Sequence, residues 1–127
     1  MKFEFNALEN VLTVKLPPVL TSTHLMEASD YLLELDKKLA ITPHRLTDTS
    51  AVTEVALQFI ELERFANRRR QATLKNPIKS AIVAPKPLHQ GFARMFKTLN
   101  DNPQITIRVF PDTASAWDWL KTNHEIN

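Results

Sequence analysis

Residues 78–120 read IKSAIVAPKPLHQGFARMFKTLNDNPQITIRVFPDTASAWDWL, and their patterning decides the fold class. Ser80–Ala84 runs through consecutive apolar positions, as a strand covered on both faces does. Pro87 then stands where a helix can begin without its N–H. Leu88, Phe92, Met95, Phe96 and Leu99 follow at helical spacing and predict one apolar stripe. Ile105, Ile107 and Val109 alternate with Thr106 and Arg108, which predicts an edge or half-exposed strand. Asp112 or Thr113 can cap a last helix, with Ala116, Trp117 and Leu120 on its buried side. Strand, helix, strand and helix with short joints mean right-handed crossovers and parallel neighbours.

Upstream, Lys2–Asn6 and Val11–Leu16 alternate with period two, and the joint Ala7–Asn10 is short enough for an antiparallel hairpin. Pro17 and Pro18 stop the second strand because neither can donate to a ladder. A helix from about Thr23 to Leu39 carries Leu25, Ala28, Leu32, Leu35 and Leu39 on one stripe, with Ser22 or Thr23 as its cap. Arg45–Thr49 is a short, polar candidate strand. A further helix is predicted from about Thr53 to Gln71, with Val55, Phe59, Leu62 and Ala66 as its main stripe. Leu57 and Ile60 lie off that stripe and suggest a second apolar side. The expected fold class is α/β: a five-stranded mixed sheet in the order 1-2-3-4-5, its first strand antiparallel, with four helices mainly on one face.

The chain has 127 residues, the size of one domain, which we take as spanning 1–127. Zero cysteines exclude disulfides, thiolate catalysis and cysteine metal sites, and are compatible with a reducing cytoplasm. The N-terminus lacks the continuous apolar core of a signal peptide, and no apolar run is long enough for a transmembrane segment. A net charge of +2 gives no footprint for nucleic acid. The arginines at 64, 68, 69 and 70 cluster, followed by Lys75 and Lys79. They read as the solvated C-terminal end of a helix, where cations offset the dipole.

Little in the chain carries chemistry by spacing alone. The histidines at 24, 44, 89 and 124 have no metal-ligand spacing and read as surface or capping residues, so no metal or cofactor is expected. A single glycine, Gly91, rules out a glycine-rich phosphate loop. Two places remain. Asp48, Thr49 and Ser50 follow a strand at the sheet edge where open α/β folds place ligands, although the same residue types also build capped turns. Lys86, His89, Gly91 and Arg94 surround a helix start whose N–H groups could hold an anion. Gly91 would permit close packing there, and Arg94 would grip an anion or brace the neighbouring loop. Both places follow parallel strands and should share one edge. An enzyme would need a base and nucleophile brought together, and His89 with Ser50 is the pairing to inspect.

The runs AIVAPKPLHQGFARMF, ITIRVF and ASAWDWL resemble small bacterial STAS/SEC14-like domains of the SpoIIAA-like fold. Those read "kvAivap…fGlARmf…vrVF…eAlaWL". Ala81–Ala84, Gly91, Ala93–Phe96, Val109, Phe110, Ala116, Trp119 and Leu120 carry the match, over about a third of the chain. The resemblance implies a regulatory or binding role: a protein partner or self-association as a homodimer, with a small anionic or lipid-like ligand as the alternative. Anti-sigma factor antagonists of that fold carry a phosphorylated D-S-[ST]-G motif. Asp48-Thr49-Ser50-Ala51 stands nearby here without the glycine, which leaves Thr49, Ser50 and Thr53 as weaker candidates for phosphorylation.

Overall fold

A computed structural model describes residues 1–122. Its main sheet contains β1 (Lys2–Asn6), β2 (Val11–Lys15), β4 (His44–Asp48), β6 (Ile78–Val83) and β7 (Ile105–Phe110), side by side in that order. Two further strands, β3 (Val19–Leu20) and β5 (Glu54–Val55), pair with each other as a separate parallel ribbon. The simple order 1-2-3-4-5 is therefore corrected. Two short strands enter the count outside the main sheet, too short for their alternation to register in the sequence. β1 runs antiparallel to β2, and all other pairs of the main sheet are parallel. Asn10 closes the β1–β2 turn at φ 56, a left-handed conformation that asparagine tolerates.

Four helices complete the fold: α1 (Ser22–Lys38), α2 (Phe59–Gln71), α3 (Pro87–Leu99) and α4 (Thr113–Leu120). Three of them, α1, α2 and α3, cover one face of the sheet. Leu12, Val14, Leu25, Leu32 and Leu62 form one part of that layer, and Ile78, Ile82, Ala93 and Ile107 another. α4 alone covers the opposite face, burying Ala116 and Leu120 against Val11, Leu46, Ala81 and Val83. β6 is buried along its whole length because helices lie on both its faces. β7 is an edge strand, buried at Ile105 and Ile107 and exposed at Thr106 and Arg108. No helix among the described residues is long and apolar enough to cross a membrane.

Several local expectations are corrected. α2 starts at Phe59 rather than Thr53, since Glu54–Val55 is drawn into the ribbon with β3. Phe59 is then exposed at the first turn, and the buried side of α2 is Leu62, Ala66 and Arg69. α3 is rotated relative to the predicted stripe. His89 and Ala93 are buried, while Leu88 and Met95 are exposed. α1 is capped one residue earlier than expected, by Thr21, whose backbone N–H donates to His24 Nδ1 at 3.1 Å.

The basic cluster divides by position. Lys75 Nζ donates to the carbonyls of Asp36 and Leu39 at the end of α1, where a cation offsets the helix dipole. Lys79 is buried, donating to the carbonyls of Trp119 (2.9 Å) and Thr122 (2.7 Å) at the end of α4. Arg69 turns inward, against the expectation of a wholly solvated helix end. It lies seven residues beyond Leu62 and three beyond Ala66, so helical geometry carries it onto the buried stripe.

Candidate functional site

The two loops singled out from the sequence do meet. Asp48 and Val83 are register partners, so the segments that follow them leave the sheet at one edge. Thr49 ties them: its N–H and its hydroxyl both donate to the Val83 carbonyl, at 3.1 and 2.6 Å. His89 adds a second tie, with Nε2 donating to the Val52 carbonyl at 2.8 Å and Nδ1 accepting from the Lys86 N–H at 3.3 Å. Asp48 Oδ1 accepts from the Ser50 N–H at 2.9 Å, the short-range bond of a turn.

Thr49 and His89 thus spend their polar atoms on backbone. With both ring nitrogens occupied, His89 forms no base–nucleophile pair with Ser50. Lys86 and Arg94 are exposed, and neither pairs with Asp48 or any other carboxylate among the described residues. The expected brace from Arg94 is not formed. The close-packing role of Gly91 is also corrected, since a Cβ built there meets nothing within 4 Å. Each described histidine accepts a backbone N–H at Nδ1: His24 from Thr21, His44 from Lys79 and His89 from Lys86. For His24 and His89 this is capping chemistry at a helix start, and for His44 it is a cross-strand tie from β4 to β6. His124 lies outside the described residues. No group of three or more His, Cys, Asp or Glu able to hold a metal occurs among the described residues.

The unusual chemistry lies one layer inward. A cavity of about 70 Å³ sits between the sheet and the three-helix layer. Its walls are mostly apolar, with Val14, Leu25, Phe65, Ile82, Phe92 and Phe96 among them. Two arginines line it. Arg45, from the central strand β4, is 8% exposed, and Arg69, from α2, is 3% exposed. Among the described residues neither guanidinium has a carboxylate within 4.0 Å. Arg45 Nε, Arg69 Nε and Nη2, and Asn100 Oδ1 are buried without a hydrogen-bond partner.

Such an arrangement opposes the ordinary rule that buried charges are paired. Burial above all, then the neighbouring Arg69 charge, pushes the Arg45 pKa down to about 9, with Asp36 acting the other way. Burial likewise lowers the pKa of Arg69, again opposed by Asp36. Arg45 still carries its proton at neutral pH. Two positive groups therefore share one low-dielectric space.

Local structure explains how they are held there. Arg45 and Thr47 are two residues apart on β4 and share the face toward the helices. Ser80 is the register partner of Arg45 on β6, so its hydroxyl lies on the same face. Asn102 Nδ2 donates to the carbonyls of Arg69 (3.0 Å) and Ala72 (2.9 Å), which fixes the last turn of α2 and the root of Arg69. Asn100 closes the cavity from the end of α3. Thr47 and Ser80 side chains make no hydrogen bond among the described residues.

Comparisons with protein-family models, with curated proteins and with solved structures found no match to this chain.

Proposed function

We propose that this chain is a regulatory binding module, a STAS-like domain of the SpoIIAA-like fold, that holds a small organic anion between its sheet and its three-helix layer. One observation carries the reading: Arg45 and Arg69 face the same apolar cavity as buried guanidinium groups with no carboxylate partner. Buried cations without a hydrogen-bonded carboxylate destabilise a fold, and a bound anion offsets that cost. The mixed sheet and the sequence run from Ala81 to Phe96 support the STAS-like assignment. The ligand site moves from the loops to the interior, because the loop side chains at Thr49 and His89 are consumed by backbone.

A thermal-shift panel of small organic and inorganic anions tests it. A ligand held at about 100 times its dissociation constant adds roughly 2.7 kcal/mol, which raises Tm by several degrees for a chain of this length. The shift should keep growing with the logarithm of anion concentration and should vanish in Arg45→Met. A panel in which no anion moves Tm refutes the reading.

One observation favours a protein partner as well. Phe59, Leu88 and Met95 are 55%, 45% and 43% exposed and border a groove between α2 and α3. Self-association through this groove fits the homodimer expected from the resemblance. Light scattering after size exclusion tests it: Leu88→Glu should leave a monomer where the parent chain gives a dimer, and a monomeric parent refutes it.

A further inference from the structure

The composition of the cavity says more than that an anion binds. Resting on the interior site proposed above, we infer that its ligand is a compact monocarboxylate with an apolar body, its carboxylate held between Arg45 and Arg69. Guanidinium groups present a planar fork of donors that matches a carboxylate in two-point contact. Arg45 Nε and Arg69 Nε and Nη2 are donors of that kind with no protein acceptor. An ionised carboxylate offers about four lone-pair positions, more than one arginine fills. The hydroxyls of Thr47 and Ser80, on the same sheet face as Arg45, are placed to donate to the remainder.

The walls separate this class from other anions. Phosphate and sulfate are polar on every side, so an ion of that kind would press oxygen against Phe65, Phe92, Phe96 and Ile82 and lose hydration without replacement. A carboxylate on an aliphatic or aromatic body meets the arginines with one end and the apolar walls with the other. A dicarboxylate would press its second charged group against the same apolar walls. A free α-amino acid would bring its ammonium group beside two guanidinium groups and is disfavoured by repulsion. The volume, about 70 Å³, suits a compact body rather than a long acyl chain. For scale, one water needs roughly 10–15 Å³ in the same measure.

Isothermal titration of the full chain decides the class. The probes are sodium butyrate and benzoate, the neutral isosteres butanol and benzyl alcohol, sodium succinate, and inorganic sulfate and phosphate. The expected result is one-to-one binding of butyrate or benzoate, tighter than its neutral isostere by about tenfold or more, the scale of a charge-assisted hydrogen bond. Arg45→Met and Arg69→Met should each weaken it by at least about tenfold, and Ser80→Ala by a few-fold. Circular dichroism reports whether each variant folds. If either methionine variant does not, Arg45→Lys keeps the charge, removes the fork, and should still weaken binding. Sulfate, phosphate or succinate binding as tightly as every monocarboxylate, with loss in the arginine variants, overturns the monocarboxylate class and leaves the interior anion site standing. Neutral isosteres binding as tightly as the acids, binding undiminished by the arginine substitutions, or no binding by any anion overturns both.

Discussion

Arg45 on β4 and Ser80 on β6 stand opposite each other in the parallel register, facing the three-helix layer from the middle of the sheet. Central strands ordinarily fill such positions with branched apolar side chains that pack against helices. Here two adjacent positions are polar, Thr47 extends the polar patch along β4, and the helix above supplies a second arginine. The fold keeps its apolar contacts around the rim of this patch and, among the described residues, leaves no carboxylate within 4.0 Å of either guanidinium.

Removing that charge should therefore strengthen the ligand-free fold. Arg45→Met keeps comparable volume and takes an unpaired cation out of the interior. Buried ion pairs replaced by apolar residues of similar size stabilise by about 1–4 kcal/mol in favourable cases, and replacing a buried cation that lacks a close carboxylate should act in the same direction. Urea unfolding of the parent and the variant measures the difference. A loss of stability would mean that Arg45 braces the structure through contacts worth more than its burial costs.

The same residue sets a pH dependence. Its pKa in the fold is about 9, below its value in the unfolded chain. Above about pH 9 the unfolded chain binds more protons than the folded one, so stability rises with pH across that window. The penalty is fully present below about 9 and is relieved above it. Arg69 and Asp36 are the charged neighbours that act on Arg45, and neither changes the sign. The stability advantage of Arg45→Met should thus narrow as pH rises above about 9. Anion binding to the parent chain should weaken over the same interval, because the cation that grips the anion is lost.

His89 ties the loop after β4 to the start of α3. Truncation in His89→Ala leaves the Val52 carbonyl without its donor and the Lys86 N–H without its acceptor. An orphaned buried group costs about 1–3 kcal/mol. The expected outcome is a lower urea midpoint together with faster hydrogen exchange in the 49–56 segment, whose Ala56 N–H and Thr53 N–H are bonded back to Leu20 and Pro18. Exchange unchanged in that segment would show that Thr49 alone holds the two loops together.

Much of the scaffold was legible in the residues. Period-two alternation located β1, β2 and β7, and the apolar run at 81–84 located β6, because burial on one or two faces writes itself directly into the pattern. The short ribbon of β3 and β5 was not legible, since two residues cannot show a period. Its formation moved the start of α2 by six positions. The site was legible only in hindsight, and for one physical reason. Arg45 lies on a polar strand that the expected order already places in mid-sheet, and Arg69 lies in a run of three arginines whose types read as a solvated helix end. Spacing puts Arg69 in line with Leu62 and Ala66, and only the packing of the three-helix layer over β4 brings the two arginines to one cavity. By contrast, the loop residues attracted attention through their types, and those types were serving turns and caps.

α4 supplies a last test, because it is the single helix on its face of the sheet. Its N-cap is Asp112, whose Oδ1 accepts from the Ser115 N–H at 2.7 Å. That bond, helped by the Ser115 hydroxyl, holds the Asp112 carboxyl below the usual aspartate value. The carboxylate form is thus favoured by folding, so its contribution is fully present above the ordinary aspartate pKa, roughly 3.9. It is lost as pH falls through the lower folded value. Asp112→Ala should lower the urea midpoint at neutral pH by fraying the first turn of the helix whose Ala116 and Leu120 enter the core. Asp112→Asn keeps a neutral acceptor at the cap, so it should retain more stability than alanine and lose the acid-dependent part. The parent and Asp112→Ala curves should converge in acid while Asp112→Asn remains parallel to alanine. A constant gap between parent and alanine down to the lowest pH at which the chain stays folded would show that the cap acts without its charge.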